Sequence, residues 1–225
     1  MNQQRPEVAD VIRSCKTDFL TRYRVSQQQR KALQDMESCR TAALGSHLWQ
    51  CPQCDHQEIR YKSCRNRHCP KCQGSHQAQW LEARAAELLP VPYFHAVFTL
   101  PHQLGPLALR NQRTVYGILF RAAALSLQTL ARDPRHLGAS IGFLALLHTW
   151  GQNLMHHPHL HCLIPGGGLS EDQPQWIASR PLFFLPVRPL SRLFRKYFLQ
   201  MLDQARRQGA LTFPGPLQPL RANPV

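Results

Sequence analysis

Apolar residues recur at helical spacing near the start of the chain: Val8, Val11, Ile12, Cys15, Phe19 and Leu20 fall on one stripe after Pro6. A helix is expected to about Tyr23, with Cys15 in its core face. Ser26 can cap a second helix through Met36. Alanines and leucines over residues 76–89 suggest a third, stopped by Pro90 and Pro92, which mark a domain boundary. The period then changes. Residues 93–99 read as a short strand, 107–131 as a long helix, 141–149 as a central strand, 159–164 as its antiparallel neighbour and 182–187 as a further strand. A basic amphipathic helix follows over 190–208, and the proline-rich residues 209–225 are expected to be disordered. The pattern predicts an α+β protein: residues 1–89 form a helical, metal-held module and residues 93–208 an antiparallel sheet with flanking helices.

Between the second and third helices the hydrophobic pattern is too thin to build a core, and cysteines take its place. Cys51-Pro-Gln-Cys54 and Cys69-Pro-Lys-Cys72 have the spacing at which two sulfurs share one ion, and two such pairs supply the four thiolates of a closed tetrahedral Zn²⁺ site. Cys39, His47, Cys64 and His68 are left over. They either complete a second ion, or Cys64 and His68 substitute within a single site. The 27 Lys and Arg against 13 Asp and Glu leave a formal charge of +14, which favours a polyanionic partner, nucleic acid first. Arg60, Lys62, Arg65, Arg67 and Lys71 within the cysteine-rich segment are the candidate phosphate contacts. The first residues carry no signal-peptide pattern and no apolar run approaches the roughly twenty residues of a spanning helix, so a cytoplasmic protein with no membrane partner is expected.

A second constellation lies on the strand at 159–164. Alternation throws His159 and His161 to one face, where two imidazoles can share a divalent ion. A hairpin return from the preceding strand can add either His148 or Gln152 as third ligand.

Three blocks in this order, Ser63-Cys-Arg-Asn-Arg-His-Cys-Pro-Lys-Cys72, His148-Thr-Trp-Gly-Gln152 and Pro158-His-Leu-His-Cys-Leu-Ile-Pro-Gly-Gly-Gly168, resemble the rolling-circle insertion-sequence transposases of the IS91 family. The resemblance runs from about Pro6 to Arg207. It implies a zinc-binding DNA-binding module followed by an HUH nuclease palm, in which His159 and His161 hold catalytic Mg²⁺ or Mn²⁺. Paired tyrosines of such enzymes attack single-stranded or hairpin DNA at the ends of a mobile element. This chain departs from that pattern because no tyrosine pair follows the histidines; Tyr197 alone does. The expectation is therefore a transposase truncated before its catalytic tyrosines, with Tyr197 the one downstream candidate. The alternative is a non-catalytic, zinc-dependent DNA-binding protein.

Overall fold

The structure, a computed structural model, describes residues 6–172 and 175–221 and divides into two compact units, one reaching Leu88 and the other starting at Leu89. In the first unit α1 (Val8–Arg22) pairs with α2 (Gln27–Ser38). Ser26 begins α2 as expected, accepting from the Gln29 amide while the Gln29 side chain accepts from the Ser26 amide. α1 buries only Ala9 and Ile12, and Cys15 is exposed rather than core. The stripe expected there is mostly left in solvent: Val8, Val11, Phe19 and Tyr23 are all exposed.

A two-stranded antiparallel hairpin, β1 (Ser46–Gln50) and β2 (Gln57–Tyr61), follows. α3 (Pro70–Ala86) begins six residues before the expected start at 76, because Cys69 takes the N-cap position and Pro70 the first turn, where a missing N–H costs nothing.

The second unit opens with β3 (Tyr93–Thr99), then α4 (Gly105–Arg110) and α5 (Gln112–Arg132). The single helix expected over 107–131 is thus interrupted at Asn111. That buried side chain donates to Leu107 O at 3.0 Å and to Thr212 O at 2.9 Å and accepts from the Thr212 amide at 2.7 Å. These bonds anchor the segment expected to be disordered from 209; Leu211 is buried beside them, a short 3-10 stretch (Gly215–Arg221) follows, and residues 222–225 lie outside the described ones. By length and composition α5 would suffice to cross a membrane, yet half of that stretch is buried, and Val115, Ile118, Leu119, Ala122 and Leu127 face the core.

β4 (Leu144–Trp150) and β5 (His156–Pro165) complete a three-stranded antiparallel sheet in the order β3-β5-β4. The strand expected to be central, β4, is an edge; β5 lies in the middle. Its Leu160, Cys162 and Ile164 are fully buried in one cluster with α5 and α6 (Val187–Arg207). Residues 182–187 form no strand: Leu182 takes a positive φ of 57° and is almost wholly exposed, and only an isolated bridge links Arg180 with Phe183.

After β5 the chain forms a small ribbon, β6 (Gly167–Leu169) with β7 (Trp176–Ala178). Glycine is required here by close backbone passage. A Cβ on Gly168 would lie 2.5 Å from Ser140 O, and one on Gly167 2.5 Å from Ile177 O. Gly168→Ala is expected to cost about 1–3 kcal/mol, seen as a lower unfolding midpoint. Gly117→Ala, at an α5 position with nothing within 4 Å, should instead be neutral or stabilising.

Two candidate metal centres

The first centre is assembled at the base of the β1–β2 hairpin. Arg40 N donates to Lys62 O at 3.1 Å and Lys62 N to Gly45 O at 3.0 Å, so the chain on either side of the hairpin is drawn together. Cys39, which ends α2, thereby meets Cys64, and the α3 N-terminus delivers Cys69 and Cys72. The four sulfurs lie within 4.8 Å of one another, with Cys72 Sγ 3.5 Å from Cys39 Sγ and 3.6 Å from Cys64 Sγ. A tetrahedron of zinc–sulfur bonds near 2.3 Å has sulfur–sulfur edges of about 3.8 Å, so the donor set fits Zn²⁺. Backbone amides point at the sulfurs as thiolates require: Cys64 N at Cys39 Sγ (3.5 Å) and Asn66 N at Cys64 Sγ (3.4 Å). Burial pushes the Cys64 thiol up to about 12. Burial acts the same way on Cys72, but hydrogen bonds from Cys39, Cys64 and the Arg65 amide outweigh it and bring that thiol down to about 7.

This set differs from the one spacing suggests. Cys51 and Cys54 do not join Cys69 and Cys72, because they occupy the far tip of the hairpin. Five residues at about 3.3 Å each put Cys51 some 16 Å along the strand from the base. The tip is a tight knuckle: Cys51 N donates to His56 O at 2.9 Å, Asp55 N to Cys51 O at 3.1 Å, and Asp55 has a positive φ of 57°. Amides of Gln53 and Cys54 hold the Cys51 thiol below its usual range. Among the described residues no third His, Cys, Asp or Glu joins this pair in a ligand cluster. Of the leftover residues, Cys39 and Cys64 enter the four-sulfur cluster. His68 instead lies beside Arg67, whose Nε is 3.3 Å from His68 Nε2, and His47 is on β1. Lys71 of the candidate phosphate contacts is paired with Glu7 at 2.5 Å.

The second centre lies on the open face of the sheet. Because Leu160 and Cys162 point into the core, His159 and His161 point away from it, and register sets His148 directly opposite His159. Donor nitrogens of His148, His159 and His161 lie within 4.8 Å of one another, and the rings of His148 and His161 are 4.3 Å apart. Gln152 is exposed in the turn beyond β4, and among the described residues no hydrogen bond joins it to the three.

Hydrogen bonds fix which nitrogens face the gap. His159 Nδ1 donates to His157 O at 2.7 Å, and His161 Nδ1 bonds His95 Nε2 at 2.8 Å. In both rings Nε2 is left as the free nitrogen. His161 Nε2 is buried without a partner, the cost a bound cation would relieve. Burial, and then the neighbouring His148, His159 and His95, hold His161 below the usual imidazole range and favour the neutral, ligating form. An ion held by these three residues would be approached from the open face of the sheet, where it could supply Lewis-acid chemistry to an oxygen ligand.

His95 was not singled out from sequence. The signal was present: a polar ring at an alternate position in the apolar strand 93–99. It is a positioning residue, and His95→Ala is expected to lower divalent-cation affinity about tenfold or more in calorimetric Mn²⁺ titrations while leaving the melting temperature near that of the parent.

Tyr197 sits elsewhere. Its ring packs on the α5–α6 core and its hydroxyl is 3.2 Å from Thr129 Oγ1, on the side of the sheet opposite the histidines. The other tyrosines of this unit are also engaged: Tyr93 accepts from the Leu89 amide at 2.9 Å, and Tyr116 meets His156 Nε2 at 2.8 Å.

Comparison with known proteins adds five findings. Residues 11–100 match the family described as "Transposase zinc-binding domain", and residues 142–223 the family described as "Putative transposase". The chain is 55% identical over 221 residues to "Putative transposase y4qJ" of Sinorhizobium fredii, covering 98% of this chain and 56% of that protein. It is 36% identical over 138 residues to the transposase for insertion sequence element IS801 of Pseudomonas savastanoi pv. phaseolicola, covering 60% of this chain and 33% of that one. The chain thus spans about half the length, or less, of these relatives. Among solved structures, the conjugative relaxase TrwC in complex with oriT DNA, in its metal-bound form, aligns at 15% identity and a TM-score of 0.38 over 49% of this chain and 42% of that one.

Proposed function

This chain belongs to the IS91 family of insertion-sequence transposases, the two family matches together spanning more than half of it, and on that premise we propose that it provides the DNA-binding zinc module and the metal-binding palm of a DNA strand-transfer reaction. Cys39, Cys64, Cys69 and Cys72 hold structural zinc, which folds the first unit and presents Arg60, Lys62 and Arg65 to phosphates. His148, His159 and His161 hold Mg²⁺ or Mn²⁺ on the open sheet face. A divalent ion held there would supply Lewis-acid polarisation of a scissile phosphate and would offset charge that builds in the transition state. The histidines' part is to present neutral nitrogens toward one point, with His95 and the His157 carbonyl fixing the ring orientation. DNA is the partner, engaged as a single strand.

One observation carries this reading: His161 Nε2 is buried and unpartnered while both Nδ1 atoms are occupied. The attacking hydroxyl comes from outside the second unit's tyrosines, since Tyr93, Tyr116 and Tyr197 are bonded away from the histidines. The test is a labelled single-stranded oligonucleotide incubated with the chain and Mn²⁺ and run on a denaturing gel, beside a binding assay with and without the metal. Metal should strengthen binding, and no covalent adduct should depend on Tyr93, Tyr116 or Tyr197. An adduct that disappears in Tyr197→Phe would refute the placement of the nucleophile.

A further inference from the structure

The β1–β2 hairpin is exposed along both faces, and one of them is built from cations and an indole. Register and alternation put His47, Trp49, Glu58 and Arg60 on the same side of the ribbon, and Lys62, just past the end of β2, lines a cleft together with His47. Glu58 accepts from Arg60 Nη2 at 3.0 Å and steadies that guanidinium 4.9 Å from the centroid of Trp49. Trp49 nevertheless remains 59% exposed. An isolated indole in water is a poor use of a large apolar surface. An indole backed by a guanidinium on a fixed strand is a ready stacking platform.

The same face runs into a cleft of about 700 Å³ at the hairpin base, lined by His47, Lys62, Ser63 and Arg65. The cleft's carboxylate, Asp35, is already engaged by Lys31 at 2.8 Å and by Asn66 at 2.8 Å. Among the described residues Lys62 and Arg65 have no ion pair, so the cleft has cations to spare and no free anion. His47 is two residues from Trp49, about 6.6 Å along the strand, within reach of one nucleotide.

We propose that this ribbon face and cleft seat a single DNA strand, with a base stacked on Trp49 and the adjoining phosphate held by Lys62 and Arg65. The inference rests on the proposed DNA-binding role of the zinc module and adds the contact surface and the form of DNA. Bases inside a duplex are stacked on one another and offer the indole no face; a splayed strand does. The +14 charge of the chain supplies general attraction for either form, so the indole is what separates them.

Fluorescence anisotropy of a labelled single-stranded oligonucleotide, titrated with the zinc-loaded chain at several salt concentrations, tests this, with the same sequence as a duplex for comparison. Trp49→Ala is expected to weaken single-strand binding roughly ten- to a hundredfold while changing duplex binding by less than about threefold. Its salt dependence should match the parent, and Trp49→Phe should restore most of the affinity. Lys62→Ala and Arg65→Ala should each reduce the slope of log affinity against log salt by about 0.7. Should Trp49→Ala lose its zinc, Trp49→Phe carries the test instead, because the quenching of indole emission on adding single strand should be smaller in it than in the parent. Parent-like single-strand affinity in a folded Trp49→Ala, or unchanged quenching in Trp49→Phe, overturns the seat while leaving DNA binding by the module intact. A parent chain that binds neither form of DNA overturns both.

Discussion

Cys39→Ser is expected to release zinc from the first unit and unfold it. Cys39 is fully buried, and the cluster it completes has few apolar neighbours beyond Met36, so little but the metal holds α2, the hairpin base and α3 together. Binding of structural zinc by such sites is worth about 10–16 kcal/mol, and that free energy is also folding free energy. Loss of one thiolate should therefore appear as a loss of zinc by elemental analysis and of the unit's cooperative unfolding transition. Cys51→Ser is the informative contrast: at the hairpin tip it should leave the four-sulfur cluster and its zinc in place. Equal unfolding in the two variants would return Cys51 and Cys54 to the cage and contradict the assignment.

The paired variant His159→Ala with His161→Ala should abolish divalent-cation binding at the sheet and remove the metal-dependent gain in oligonucleotide affinity. Stability should change by no more than about 1 kcal/mol, because both rings are only half-buried and lie on the face away from the core. The DNA affinity proposed for the zinc module should persist without added metal. Mn²⁺ titration calorimetry beside thermal unfolding separates these outcomes. A residual Mn²⁺ site of parent-like affinity would show that the ion is held elsewhere.

The contrast between the two centres shows what the sequence could convey. His159 and His161 are two residues apart on one strand, and strand alternation alone places them together; the antiparallel neighbour then brings His148. Cys39 could not be placed that way. Pairing the two Cys-x-x-Cys motifs treats the chain between them as a passive spacer, whereas residues 46–61 form a hairpin that carries one motif outward and closes its own base beside Cys39 and Cys64. That hairpin has no buried residue, so no hydrophobic alternation announced it. Residues 182–187 misled in the opposite sense, being apolar enough for a strand but unpaired with the sheet, with Leu182 held at positive φ. Asn111, inside the polar run 110–114, ends one helix and starts the next because its bonds reach Thr212, 101 residues away.

The most direct measurement is anomalous scattering from crystals of the chain soaked in Mn²⁺. A single peak bonded to His159 Nε2, His161 Nε2 and one nitrogen of His148 is predicted, with the His95–His161 hydrogen bond intact. A peak bonded through Nδ1 of either β5 histidine, or no peak on that face of the sheet, would contradict the account.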